Sequence, residues 1–316
     1  MRFVVFGVGA VGGVVAGRLF EHGHDVVGIA RGAHYEALRE RGLRLVDPDR
    51  KKMLPMPVVD APRAVDWRPD DVVLVTTKTQ DSTAALDALA AAAPPDTPVV
   101  CVQNGVENER LALRRFANTY AICVMLPAEH LEPGVVNASS APVSGLLDIG
   151  RYPSGVDDRA AAIAGELGVS TFESVPRADI MRWKYRKLIM NLGNAVEALF
   201  VPGEDALELA RMARREGSAV LRSANIDVAS IEEDRDRRGE RLTPRLSRGG
   251  GSTWQSLRRG AGSLETDYLN GEIVFVARSI GEPCPVNARL QAEANRAARR
   301  GVAPASLRAA DLLADL

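Results

Sequence analysis

The chain is poor in the residues that usually announce a metal or a disulfide scaffold. Its three cysteines, Cys101, Cys123 and Cys284, are odd in number, widely spaced and never paired as C-x-x-C, so neither a disulfide framework nor a zinc site is suggested and buried thiols are expected. The four histidines, His22, His24, His34 and His130, show no metal-ligand spacing with them, so no metal is expected. Charge of one sign is also lacking. Forty lysines and arginines against 41 aspartates and glutamates give a net charge of -1, and so no reason to expect nucleic acid or an anionic membrane as partner. No apolar run reaches the roughly eighteen residues that span a bilayer, and the first residues enter a strand with no signal-peptide pattern, so the expected location is the cytoplasm. Low complexity is confined to Gly249 to Gly251, and no repeat is present.

What is there is an ordinary globular composition, 46% apolar and 26% charged, in 316 residues, enough for two domains with a core each. The most informative stretch runs from Phe3 to Arg31. Phe3 to Phe6 is an apolar, β-prone run; Gly7, Gly9 and Gly12 follow in G-x-G-x-x-G spacing; Ala10 to Phe20 has helical periodicity. Gly7 suits a tight turn, Gly9 lets backbone approach a pyrophosphate, and Gly12 lets the helix lie close to the sheet. Unpaired N–H groups at the helix start then hold phosphate. The turn from Gly7 through Val8, Gly9, Ala10 and Val11 to Gly12 is therefore the expected cofactor-binding segment. About twenty residues on, NAD-binding versions carry an acidic residue for the ribose hydroxyls. This chain has Arg31, whose guanidinium suits a 2′-phosphate, so NADPH is the expected cofactor.

Strands and helices alternate as far as Pro176, with clear strands at Asp70 to Gln80 and Pro98 to Val102, and a helix from Ser82 to Ala93. That alternation calls for a doubly wound α/β sheet. Lys78 and Asn104 follow two strands whose carboxyl ends should open onto one crevice. Each alone also reads as a surface lysine or an Asn-Gly turn former; together they favour a site. Shorter strands follow at AICVML, GVVNAS and SGLLDIG.

Beyond Pro176 long helical patterns take over, at Asp179 to Leu199, Ala206 to Asn225, Thr266 to Ile280, Val286 to Arg300 and Pro304 to Leu316. A charged connection at 231–253 reads as a solvated loop, the alternative being a loop that closes over substrate. Lys187, Asn191 and Asn194, at i, i+4 and i+7, fall on one helical face amid apolar neighbours, either as a buried network or as a site. A desolvated lysine there would suit acid–base work. Glu265 opens a later helix, either as a charge favourable to the dipole or as a partner for Lys187.

GVGAVG at Gly7 to Gly12, Arg31, TTKTQ, QNGVEN, KLIMN at Lys187 to Asn191, ETDYLNG from Glu265, and PVN at Pro285 to Asn287 together resemble the ketopantoate reductase (2-dehydropantoate 2-reductase) family, nearly end to end. The resemblance implies an N-terminal NADP-binding Rossmann domain, 1–176, an all-helical C-terminal domain, 177–316, and an active site in the cleft between. It implies that Lys187 is the general acid, that Asn191 and Asn194 contact substrate, and that Asn104 lies near cofactor and substrate. It further implies that Lys78 and Arg31 hold NADPH, that Ala128 offers it a backbone contact, and that Glu265 lies near the nicotinamide and the lysine. Ser252 or Thr253 would bind the substrate carboxylate. The expected reaction is reduction of a small-molecule 2-keto acid, ketopantoate first; alternatives are a paralogue acting on another keto acid or imine, and a catalytically silent NADP-binding sensor. The apolar helical domain is compatible with a homodimer. Where the family often has Ser-Met-x-Gln-Asp this chain has Ser252-Thr253-Trp254-Gln255-Ser256, an added indole expected to fill or reshape the acid pocket.

Overall fold

Every residue of β1 (Arg2–Phe6) is buried, and its side chains divide between two cores, Phe3 and Val5 in one, Val4 and Phe6 in the other. A strand covered on both faces has no polar alternation, which is why the run is continuously apolar. The computed structural model describes residues 1–246 and 249–316. From β1 the chain passes through α1 (Ala10–Glu21), β2 (Asp25–Ile29), α2 (Gly32–Arg41), β3 (Leu43–Val46), β4 (Lys51–Leu54), β5 (Val58–Val59), β6 (Asp71–Val75), α3 (Ser82–Ala90), β7 (Val99–Cys101), α4 (Asn108–Leu113), β8 (Thr119–Met125), β9 (Ala128–Glu129), β10 (Val135–Ala138), β11 (Gly145–Arg151), α5 (Asp158–Gly168) and β12 (Phe172–Glu173). There follow α6 (Ile180–Asn191), α7 (Asn194–Leu199), α8 (Glu204–Ser223), α9 (Ile231–Arg238), α10 (Ser252–Arg258), a 3-10 turn at Glu265–Tyr268, α11 (Asn270–Ile280), α12 (Pro285–Arg300) and α13 (Ala309–Leu313).

Two units divide the chain: Met1–Lys184 with Glu232–Ser247, and Tyr185–Ile231 with Arg248–Leu316. The connection expected at 231–253 contains Ser247 and Arg248, which lie outside the described residues. In the first unit eight strands form one sheet in the order β12-β11-β8-β7-β6-β1-β2-β5, every adjacent pair parallel except β8 with β11. This is the doubly wound sheet the alternation calls for. GVVNAS does not join it. It forms β10 of a second sheet, β4-β3-β10-β9, which packs on α1. Small residues permit that packing: a Cβ on Gly13 would lie 2.5 Å from Val136 Cγ1, and one on Gly17 3.0 Å from Leu43 Cδ2.

Part of the expected 231–253 loop is ordered structure belonging to the first unit. Arg237 of α9 makes ion pairs with Asp148 at 2.7 Å and Glu173 at 2.9 Å, and the Arg245 amide donates to the Ser139 carbonyl. Asp148 and Glu173 thus hold Arg237 by charge-assisted bonds, and Arg245 is held in turn by Asp49 at 2.6 Å.

The second unit is helical, with two departures from expectation. The helix read from Asp179 to Leu199 breaks after Asn191, so Lys187 and Asn194 do not share one helical face. Gly193 precedes α7, where a Cβ would meet Arg214 Nη2 at 2.6 Å, and the Leu192 carbonyl freed by the break accepts from buried Asn270 Nδ2 at 3.1 Å. Asn287 Oδ1 holds Asn270 at 2.9 Å, and Glu216 accepts from the Val286 and Asn287 amides. The asparagines of ETDYLNG and PVN thus maintain the break, satisfying buried polar groups that would otherwise be costly. The second departure is at the end of the chain. Only Ala309–Leu313 of the stretch from Pro304 is helix, because the amides of Ala305, Ser306 and Leu307 are spent on the carbonyls of Ala198 and Leu199 at the end of α7.

Candidate functional site

Four adjacent parallel strands, β7, β6, β1 and β2, end on the same edge of the first unit's sheet, and each is followed by a residue picked out from the sequence. Open sheets of this kind bind ligands beyond the carboxyl ends of their strands. Gly7 follows β1 with φ at 108°, a conformation that favours glycine, and a Cβ there would lie 2.9 Å from the Thr77 amide. Gly12 has no room either: its Cβ would fall 2.2 Å from the Gly7 carbonyl and 2.3 Å from Thr76 Oγ1, which itself donates to that carbonyl at 2.7 Å. Gly9 is different. Nothing stands within 4 Å of where its Cβ would be. Packing therefore demands Gly7 and Gly12, whereas the bare face of Gly9 borders open space, as close approach of a ligand to the protein backbone would require.

Helix α1 starts at Ala10 with no side-chain cap and no acidic residue in its first turn. Its first N–H groups have no partner in their own helix, and its first turn adds no negative charge to the positive end of the dipole, a seat for an anion such as pyrophosphate. Arg31 caps α2 at the end of β2 and is exposed, with no acidic residue in the first turn of α2. Lys78 and Asn104, both half-buried, follow β6 and β7. Their loops are braced to each other. Gln103 Nε2 donates to the Thr77 carbonyl and Ser82 Oγ, both at 2.8 Å, while Asn108 Nδ2 donates to the Asn104 carbonyl at 3.1 Å and Thr79 Oγ1 at 3.2 Å. Ala128 is buried at the start of β9, in the sheet that packs on α1. The turn, Arg31, Lys78, Asn104 and Ala128 all belong to this one unit.

Beneath Asn104 lies a pair with no signal in the sequence spacing. Lys184 Nζ, 2% exposed, donates to Glu109 Oε1 at 2.5 Å and to the Gln103 carbonyl at 2.9 Å; the Glu109 side chain is fully buried. Burial pushes the Glu109 carboxyl up, opposed by the Lys184 ammonium, and pushes the neighbouring Cys101 thiol well up. The fully buried lysine of α6 is thus Lys184, and Lys187, expected to be the desolvated one, is half-buried.

The second unit carries the other predicted residues. Lys187 and buried Asn191 lie in the last turns of α6, and Asn194 begins α7. Glu265 is buried and opens a 3-10 turn, not an α-helix, with α11 starting at Asn270. Helix α10 packs on α7. Its Thr253 is 3% exposed and its hydroxyl has no hydrogen-bond partner among the described residues, whereas Ser252 is half-buried and its carbonyl accepts from Ser256 Oγ at 3.0 Å. Ser256 therefore braces its own helix where the family pattern has an acid. Trp254 lies on the glycine run: Cβ atoms on Gly249 and Gly250 would come 2.6 Å and 2.5 Å from its ring. Gly249 and Gly250 are the seat of the indole, whereas a Cβ on Gly251 would lie 2.7 Å from Glu197 Oε2.

Among the described residues no cluster of His, Cys, Asp and Glu could hold a metal ion, and no helix is long and apolar enough to cross a membrane.

A parallel sheet with a glycine turn at its carboxyl edge, followed by an all-helical unit, defines a Rossmann-type oxidoreductase architecture. Residues 3–154 match the family described as Ketopantoate reductase PanE/ApbA, and residues 179–297 its C-terminal counterpart. The chain belongs to the ketopantoate reductase family. Among curated relatives, 2-dehydropantoate 2-reductase of Halobacterium salinarum is 30% identical over 301 residues, 90% of this chain and 95% of the relative. That of Pyrococcus horikoshii is 27% identical over 300 residues, 91% of this chain and 94% of the relative. A PanE/ApbA family ketopantoate reductase from Ralstonia eutropha JMP134 superposes with a TM-score of 0.80 at 28% identity, covering 95% of this chain and 99% of that one. D-mandelate dehydrogenase, solved with NADH and anilino(oxo)acetate, shares the fold with a TM-score of 0.80 at 21% identity, over 96% of this chain and 99% of that one. The chain is a ketopantoate-reductase-type oxidoreductase.

Proposed function

We propose that this protein reduces a 2-keto acid to the 2-hydroxy acid with NADPH, and that the substrate is 2-dehydropantoate, the compound in the names of its curated relatives. The observation that carries the cofactor assignment is the anion seat of α1 with open space over Gly9, flanked by Arg31 where an NAD site would place a carboxylate. When bound, the nicotinamide supplies a hydride to the carbonyl carbon. The chain does the rest. The first turn of α1 and Lys78 hold phosphate, Arg31 grips the 2′-phosphate, and Ala128 gives a backbone contact. Asn104 lies at the reacting end. Lys187 donates a proton to the carbonyl oxygen as negative charge develops there, and Glu265 keeps that lysine charged and aimed. Asn191 and Asn194 contact the substrate. Of the Ser252 and Thr253 hydroxyls, that of Thr253 is buried and has no hydrogen-bond partner among the described residues, which costs about 1–3 kcal/mol unless a ligand supplies one.

The cofactor assignment is tested by Arg31→Ala. Loss of a charge-assisted grip on the 2′-phosphate should weaken NADPH by about 10- to 100-fold and leave NADH nearly unchanged, read as dissociation constants by fluorescence titration. Equal losses for both would remove Arg31 from that role.

A further inference from the structure

One side chain outside the roles assigned so far touches the phosphate turn directly. His34, on the first turn of α2, places Nε2 2.5 Å from the Val8 carbonyl, and its Nδ1 accepts from the Gly134 amide at 2.8 Å. A carbonyl can only accept and an amide N–H can only donate, so the proton sits on Nε2 and Nδ1 presents a lone pair. Both bonds need the neutral ring. Burial, with the His130 ring tilted against it at a centroid distance of 4.3 Å, brings the His34 pKa down to about 4, so the ring is neutral at physiological pH.

The Val8 carbonyl belongs to the peptide that joins Val8 to Gly9, whose N–H donates to the Gly7 carbonyl at 2.7 Å. The peptide is thus held at both edges, by His34 on its oxygen and by Gly7 on its hydrogen. Beneath it, Val8 is buried against β2, where Gly28 leaves room: a Cβ there would lie 2.8 Å from Val8 Cγ2. Without His34 the Val8 oxygen loses its partner, and a glycine at position 9 has no Cβ to resist rotation. A rotated peptide would put a carbonyl dipole where phosphate should meet N–H groups. Through the Gly134 amide the same ring ties this turn to the residue preceding β10, and Arg31 stands three positions before His34, at the start of α2.

We propose that His34 is the positioning residue of the dinucleotide site, holding the Val8–Gly9 peptide so that the start of α1 stays open to phosphate while anchoring the helix start that presents Arg31. This rests on the reading of the first unit as the NADPH-binding unit. His34→Gln places an amide N–H near Nε2 and can keep the Val8 bond; His34→Asn places an oxygen near Nδ1 and can keep only the Gly134 bond. NADPH dissociation constants and kcat at saturating cofactor are measured for wild type, both amides and His34→Ala. Loss of the Val8 bond should weaken NADPH about tenfold or more in His34→Asn and His34→Ala, with His34→Gln within about threefold of wild type and kcat within about threefold throughout. If His34→Ala does not fold, the Gln and Asn pair carries the comparison. Unchanged affinity in both amide variants, or equal loss in both, overturns the role of His34. Wild type that binds no NADPH overturns the cofactor reading itself, and with it this inference.

Discussion

Replacing Lys187 with alanine is expected to lower kcat by about 10²- to 10³-fold, the range found when one donor to a developing oxyanion is removed. The lysine sits half-buried near the end of α6, a single turn before the break that Gly193 and Asn270 maintain. A side chain on a helix anchored in this way has its reach defined by the backbone, which suits proton delivery to one point. The Gly7 to Gly12 turn, Arg31 and Lys78 belong to the other unit, so the NADPH dissociation constant should change by less than about threefold, the spread of an ordinary surface change. Single-turnover rates and cofactor titrations on one preparation separate the two. A kcat within a factor of a few of wild type would remove Lys187 from the chemistry.

The second large effect concerns folding. Glu109→Ala leaves the Lys184 ammonium buried with only carbonyl partners, and removing one member of such a pair costs about 3–5 kcal/mol. The pair itself is a different matter. Two desolvated charges gain little over apolar residues of the same volume, and one Glu109 oxygen, Oε2, has no hydrogen-bond partner among the described residues. The double variant Glu109→Leu with Lys184→Met should therefore recover most of what the single variant loses. Denaturant unfolding of the three proteins tests this. A single-variant cost below about 1 kcal/mol, the value of an exposed pair, would show that the charges are not desolvated as the structure places them. A double variant no better than Glu109→Ala would show that the pair is not the source of the loss.

Much of the first unit was legible because its signals are local. β1, the glycine turn and α1 are contiguous, and a run buried on both faces looks the same in sequence as in space. Lys78 and Asn104 were legible for a related reason, since a parallel sheet brings the carboxyl ends of its strands to one edge. The second, small sheet was hidden because β3 and β10 pair across some ninety residues of chain, and neither strand carries a pattern that names its partner. The helix break after Asn191 was only partly visible: α6 and α7 both have helical periodicity, Gly193 is a single local signal, and the Asn270 amide that satisfies the Leu192 carbonyl comes from far along the chain. So too with Glu109 and Lys184, a pair visible only once folded. Trp254 is a further case: the glycines just before it, Gly249 and Gly250, lie against its indole, a contact the sequence does not announce.

The central claim is that this chain transfers hydride from NADPH to ketopantoate, and the decay of NADPH absorbance on adding ketopantoate to the purified protein tests it most directly. The expected result is stoichiometric loss of NADPH with formation of pantoate, at a rate that saturates in both ligands and exceeds the rate with NADH in place of NADPH. Tight NADPH binding with no oxidation by ketopantoate or by a panel of other 2-keto acids would contradict it.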